Sequence, residues 1–188
     1  MFNAFDPKKG SLLLAEPFMM DSNFERSVVL LCAHDPQEGT MGFVLNNRSG
    51  LVLSDLLPEI ENSDFPVYIG GPVETDALYF LHTAPDLIPG ASQLVDELYI
   101  GGDFEQVTFL MNANLLSSEQ IKFFIGYAGW TSEQLAEEIK ENSWAVHNKF
   151  PHDILFITDG EDLWKQALIS LGPKYAHVAG FPKRPDLN

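Results

Sequence analysis

Three short stretches hold the residue types that could do chemistry. Asp21-Ser22-Asn23-Phe24-Glu25-Arg26 enters an apolar run, His34-Asp35 leaves it, and Asn46-Asn47-Arg48 leaves the next one. A histidine beside a carboxylate can do acid–base work near neutral pH. His34 and Asp35 are therefore the candidates for an enzyme site. Arginine offers a planar fork that matches carboxylates and phosphates, so Arg26 and Arg48 are candidates for a bound ligand or for ion pairs with nearby acids. A fourth feature is an aromatic-isoleucine-glycine stretch. It occurs as Tyr68-Ile69-Gly70-Gly71, as Tyr99-Ile100-Gly101-Gly102 and as Phe124-Ile125-Gly126-Tyr127-Ala128-Gly129-Trp130. No lysine follows these glycines, and no G-x-G-x-x-G opens a helix, so the nucleotide-binding fingerprints are absent. Glycine also permits positive φ where a strand must turn, and the three stretches read as strand ends. They could still present backbone N–H groups to a small anion at one rim.

Other templates fail as well. There is no G-x-S-x-G elbow and no H-E-x-x-H pair. The histidines are His34, His82, His147, His152 and His177, and the spacing of His147 and His152 is wrong for one helical face. No metal and no cofactor are expected. Cys32 reads as a small core residue, since a buried thiol is inert.

The elements that must position these residues are legible from hydrophobic pattern. Ser27 to Ala33 is apolar without alternation, as in a strand buried on both faces. Turn residues Gln37-Glu38-Gly39 lead to a second strand, Met41 to Leu45, and so to a hairpin. In such a hairpin Arg26 and Arg48 fall at one end and His34 at the other. Ser54 to Pro58 suggests one helical turn; 67–69 and 77–81 read as strands. Asp103 caps a helix from Phe104 to about Ala113. Ile121 to Ile125 reads as a strand. Thr131 and Gln134 form a capping box, with Trp130 and Leu135 as its hydrophobic staple. Ile154 to Ile157 reads as a strand, and Asp159 caps a last helix that Gly172-Pro173 stops. Residues 173–188 read as an extended tail. Interleaved elements with hairpin-linked strands predict one α+β domain over residues 1–188, with 1–9 as an N-terminal extension.

Net charge is −16. From Gly10 to Ile121 the only basic residues are Arg26 and Arg48, against 17 acids. Phosphate backbones are bound by clustered Lys and Arg, so direct nucleic-acid binding is not expected. A single cysteine and no secretory leader predict a reducing cytoplasm. No run approaches the roughly 18 apolar residues of a spanning helix.

The stretches GSLLLAEPFMMDSNFERSVVLLCAHDPQEGTMGFVLNN, GGPVE and FFIGYAGWTSEQLAEEIKENSW, in that order, closely resemble the AlgH family, which includes YqgE. The resemblance runs from Gly10 to about Gly172. It implies a mostly antiparallel, bifurcated sheet curled into a pseudo-barrel with flanking helices. It also implies a cytoplasmic bacterial protein, in a family named for a proposed role in transcriptional regulation. It implies no reaction. The family motif falls on Asp21, Arg26, His34, Asn46, Gly70, Gly71, Pro72, Tyr127, Trp130, Gln134 and Glu138, which with Arg48 are the candidate binding residues. The family often has Arg-Pro directly after the asparagine; here Arg48 stands one residue displaced. The expectation is a regulatory module that binds a small molecule or a protein partner without touching DNA. The alternative is an enzyme with an acid–base site at His34 and Asp35.

Overall fold

The computed structural model describes residues 5–61 and 63–183. Residues 1–4 of the expected extension and 184–188 of the expected tail lie outside the described residues. In chain order the strands and helices begin with β1 (Leu12–Ala15), β2 (Val28–Asp35), β3 (Gly39–Val44), β4 (Arg48–Val52) and the short α1 (Leu53–Leu56). There follow β5 (Pro66–Ile69), β6 (Val73–His82), β7 (Ser92–Val95), β8 (Leu98–Ile100) and α2 (Phe104–Asn112). The rest are β9 (Ile121–Trp130), α3 (Ser132–Lys140), β10 (Trp144–His147), α4 (Ile154–Ile157), α5 (Gly160–Leu171) and α6 (Pro173–Ala176).

The strands form one ten-stranded sheet with the path β10-β1-β2-β3-β9-β6-β8-β7. All ladders are antiparallel except β5 with β9. The class is α+β. No ladder among the described residues joins β10 to β7, so the sheet is not closed into a barrel.

The sheet forks at β9. On one edge, Val67 to Ile69 of β5 run beside Phe123 to Ile125, and Thr40 to Gly42 of β3 then pair with Trp130 to Ala128. On the other edge lies β6. The chain must therefore pass from β5 on one edge of β9 to β6 on the other, and residues 70–72 carry it across. At Gly70, Cβ would meet the Gly126 carbonyl, and at Gly71 it would meet the Tyr127–Ala128 peptide. Gly126 itself has φ +68°, and its Cβ would lie 2.5 Å from the Gly71 carbonyl. The first and third aromatic-Ile-Gly stretches are thus the two halves of one backbone crossing. The third is not a strand end: β9 continues through it to Trp130. The first and second do end their strands as expected, at Ile69 of β5 and Ile100 of β8, and the second feeds a capped helix, where Asp103 accepts from the Gln106 N–H at 3.1 Å.

Alternation along the strands feeds three cores. Leu12, Leu14, Val28 and Leu30 face α5, which supplies Leu163, Trp164, Ala167 and Leu168. Leu13, Val29, Leu31 and Val44 face the other way, towards Trp130, Leu135 and Trp144. Val67, Phe80 and Phe123 pack with Val107, Leu110 and Met111 of α2. The apolar run after Ser27 is buried on both faces, as its lack of alternation predicts.

Two expected elements differ. Ile154–Ile157 is a short helix, not a strand. A four-residue apolar run carries no usable period, and here the Asp153 carboxylate takes the Ile154 N–H. The segment after Gly172 is not extended: Pro173 opens α6, and Val178–Gly180 adds a turn of 3₁₀ helix. Pro suits a first helical position, where its missing N–H has no partner to lose. Tyr175 and Ala179 then bury themselves against the α5 core.

Candidate functional site

The predicted site residues separate into three places. At the hairpin end nearest β4, Arg26 is 4% exposed, and its Nη1 binds Glu161 Oε1 at 2.5 Å. Its Nη2 donates to the Phe181 carbonyl at 2.6 Å, and the guanidinium stacks on the Trp164 ring, 4.8 Å from the centroid. Arg48 binds the neighbouring acid, Asp159. Both arginines do meet at one end, but their acids arrive from α5 and its cap, more than a hundred residues along the chain. Asn46 is used up beside them. Its Oδ1 accepts from the Val28 N–H, and its Nδ2 donates to the carbonyls of Arg26 and Gly160. Asp21 lies in a local turn, where its Oδ1 accepts from Asn23.

Glu161 shows how such a site settles its charge. Burial raises its pKa, but the hydrogen bonds from Lys165 and Lys183 and the Arg26 charge prevail and hold it below its ordinary value.

At the other end of the hairpin lies an open groove of about 820 Å³ between the β2–β3 tip and the β9–α3 junction. It collects His34, Tyr127, Trp130 and Gln134 from the candidate residues. Its apolar floor is Cys32, Met41, Val73, Tyr127 and Trp130, and its polar rim includes Lys9, Asp35, Glu38 and Gln134. His34 Nδ1 lies 2.7 Å from the Thr40 hydroxyl. Asp35 does not orient that ring. Its Oδ1 accepts from the N–H groups of Gln37 and Glu38, which hold its pKa below the ordinary value. Burial pushes the Cys32 thiol up to about 12, so it is no nucleophile at neutral pH.

Glu138 stands behind this groove as a structural hub. It accepts from the indole N–H of Trp130 at 2.9 Å, from that of Trp144 at 2.7 Å and from Gln134 Nε2 at 2.8 Å. Only half of the expected capping box forms: Thr131 takes the Gln134 N–H, but the Gln134 side chain turns to Glu138. The motif that looks most like a site in sequence therefore spends its polar atoms on fixing α3 to β9 and β10. What it leaves in the groove is aromatic surface and a backbone edge. Val44 donates to the Gly70 carbonyl, away from β2, so by alternation Gly42 and Thr40 face β9. Their partners Ala128 and Trp130 face β3, and Gly129, exposed between them, turns its N–H and C=O away from it. Gly70, Gly71 and Pro72 do not line the groove.

The third place includes one candidate of the sequence reading, Arg48, beside a lysine that the reading did not single out. Lys122 sits on β9 at 5% exposure, with its Nζ donating to the Leu155 carbonyl at 2.9 Å and 4.1 Å from the centroid of the Tyr68 ring. Burial draws its pKa down to about 8, against the pull of Asp159. The Tyr68 hydroxyl donates to Asp159 at 3.0 Å, and Tyr68 is itself raised by burial and by that carboxylate. A lysine inside an apolar strand was the one available signal. Two other buried titratable groups are structural. His82 binds the Gly101 carbonyl and accepts from the Ala84 N–H, and His147 contacts Ser170. Burial lowers both pKa values. Among the described residues no group of three or more His, Cys, Asp or Glu is arranged to hold a metal ion. None of their helices is long and apolar enough to cross a membrane.

Comparison with known proteins agrees with this architecture. A family profile described as AlgH-like matches residues 12–176. A "UPF0301 protein" of Bacteroides thetaiotaomicron is 44% identical over 97% of this chain and 92% of its own length. One from Chlorobaculum tepidum is 36% identical, with both chains covered in full, 100% each. The solution structure of the AlgH protein from Pseudomonas aeruginosa superposes with a TM-score of 0.71 at 29% identity, covering 97% of this chain and 98% of that one. A crystal structure from Corynebacterium diphtheriae has the same fold, with a TM-score of 0.77 at 24% identity and 95% of each chain covered.

Proposed function

This chain belongs to the AlgH-like family, and from that premise we propose that it is a binding module whose ligand sits in the groove between the β2–β3 tip and α3. The observation that carries this reading is convergence. Of the twelve candidate residues, four line this groove, His34, Tyr127, Trp130 and Gln134, whereas only two, Arg26 and Asn46, share the smaller cavity of about 310 Å³ beside Glu161. At about 820 Å³ the groove is of the size that takes a small organic molecule. Its apolar floor and polar rim suit a ligand with a flat or aliphatic body and a hydrogen-bonding end. A regulatory role in the cytoplasm then runs through that ligand or through a protein that responds to it, not through DNA.

The test is a screen of small metabolites by ligand-detected NMR against the wild type and Gly129→Leu. A Cβ at Gly129 meets only ordinary contacts, 3.6 Å to Tyr127 Cε2 and 4.0 Å to the Thr40 carbonyl. The variant therefore keeps its fold and fills the groove. Ligands that bind the wild type and lose about tenfold or more in affinity on Gly129→Leu, roughly 1.4 kcal/mol, are the expected outcome. Ligands indifferent to that substitution would place the binding elsewhere.

The contact between His34 and Thr40 favours a second reading, an acid–base enzyme in the same groove. Imidazole beside a hydroxyl is the arrangement of an activated nucleophile. Turnover of a groove ligand that His34→Ala abolishes, with binding retained, would select this reading over the first.

A further inference from the structure

The cavity around Lys122 is separate from the groove and differs from it in chemistry. It holds about 270 Å³, below the range of about 300–1,000 Å³ typical of drug-sized ligands. Arg48, Tyr68, Lys122 and Asp159 all line it. Burying a lysine is costly unless it is paired with a carboxylate, yet Lys122 gives its hydrogen bond to a neutral carbonyl. The acid at hand, Asp159, is engaged by Arg48 and by the Tyr68 hydroxyl. Arg48 is 61% exposed and makes that pair through Nε, so its exposed fork can still reach a second anion. An exposed guanidinium and an amine that makes no direct ion pair thus face one small cavity. Neither is needed to hold the other.

We propose that this cavity is a site for a small 2-oxo carboxylic acid, whose carboxylate Arg48 holds while Lys122 Nζ condenses with its keto carbon to form an imine. The free amine adds its lone pair to the carbonyl carbon, and the carbonyl π pair moves to oxygen, which takes up a proton. The nitrogen then gives a proton to the Asp159 carboxylate, which passes it to the hydroxyl, and water leaves as the C=N bond forms. In sum, an ammonium and a ketone become a protonated imine and water. Charge is conserved and no oxidant or reductant is consumed. The positive nitrogen remains where Tyr68 and Asp159 already accommodate one. With its pKa drawn down to about 8, Lys122 has far more of its free amine at pH 7 than an ordinary lysine. Burial sets this, Asp159 opposes it and the Arg48 charge adds to it.

Reductive trapping tests the proposal on the intact wild-type chain. The protein is incubated at pH 7.5 with pyruvate and cyanoborohydride, and adducts are located by peptide mass spectrometry. The exposed lysines Lys8, Lys140 and Lys149 serve as internal references. Lys122 is expected to be alkylated about tenfold or more faster than any of them. The Arg48→Gln variant is expected to slow trapping by pyruvate at Lys122 and to leave trapping by propanal, which lacks the carboxylate, unchanged. Labelling of Lys122 no faster than the references would overturn the imine. Equal effects of Arg48→Gln on pyruvate and propanal would overturn the assignment of the carboxylate. The outcome is independent of the groove, because Gly129→Leu does not touch this cavity.

Discussion

Arg26 shows what a single residue commits to when it is buried with its charge. It sits at φ +49°, an uncommon conformation for a residue with so large a side chain. The Asn46 amide holds its carbonyl, and Glu161 holds its guanidinium. Removing one partner of a buried pair leaves the other charge without compensation. Glu161→Ala is therefore expected to cost about 3 kcal/mol at neutral pH, read from the urea midpoint. Asp159→Asn removes the partner of Arg48, which is 61% exposed, and the loss of that ion pair is expected to cost less than about 1 kcal/mol. The Glu161 pKa is depressed on folding from its ordinary 4.5. Its contribution is thus fully present above that value and lost as pH falls through the folded pKa. The gap between wild type and Glu161→Ala should narrow in step. A gap that stays constant down to pH 3 would mean that the carboxylate charge is not what stabilises the site.

At the scale of elements, the crossing over β9 is the feature on which the sheet depends. Three glycines share it, and at each the missing Cβ is replaced by another segment's backbone. Gly50 is the useful contrast: its φ is +84°, but a Cβ there meets nothing within 4 Å. Gly50→Ala is expected to cost about 1–2 kcal/mol, the left-handed backbone term alone. At Gly126→Ala the same term is joined by a collision with the Gly71 and Val73 carbonyls, at 2.5 and 2.8 Å. Relief requires β5 or β6 to move off β9. That variant is expected to lose cooperative thermal unfolding, or to express only as insoluble protein. A melting temperature within a few degrees of that of Gly50→Ala would show that the crossing tolerates side chains. The composition of the three stretches suggested glycine for turning; the first and second do turn the chain at a strand end, and the third instead admits a neighbouring backbone inside β9.

At the scale of the whole molecule, charge decides which partners are open to it. The net charge is −16, and the two arginines of the acidic region, Arg26 and Arg48, are already paired with Glu161 and Asp159. A phosphate backbone would find few cations to release its counterions. Fluorescence anisotropy with a random duplex is expected to show no binding at micromolar protein in 50 mM salt. Tight binding that fades steeply with salt, as many phosphate contacts require, would contradict indirect action.

The sequence by itself determined the local events. Asp103, Thr131 and Asp159 each cap the helix that follows them, because a cap needs only a side-chain oxygen and an N–H one to three residues away. The run from Ser27 announced a strand buried on both faces, since the absence of alternation is itself the signal. The hairpin told which end each candidate residue would occupy, placing the two arginines together and His34 apart. Tertiary structure alone decided the partners. Glu161 reaches Arg26 across 135 residues, Asp159 reaches Arg48 across 111, and Gly71 meets Gly126 over the back of a strand. Periodicity reports which face of an element is buried, but not against what. Lys122 carries the consequence furthest. In the chain it is one cation at the start of an apolar run. In the fold it is a buried amine facing a small cavity, with the nearby carboxylate of Asp159 paired to another residue.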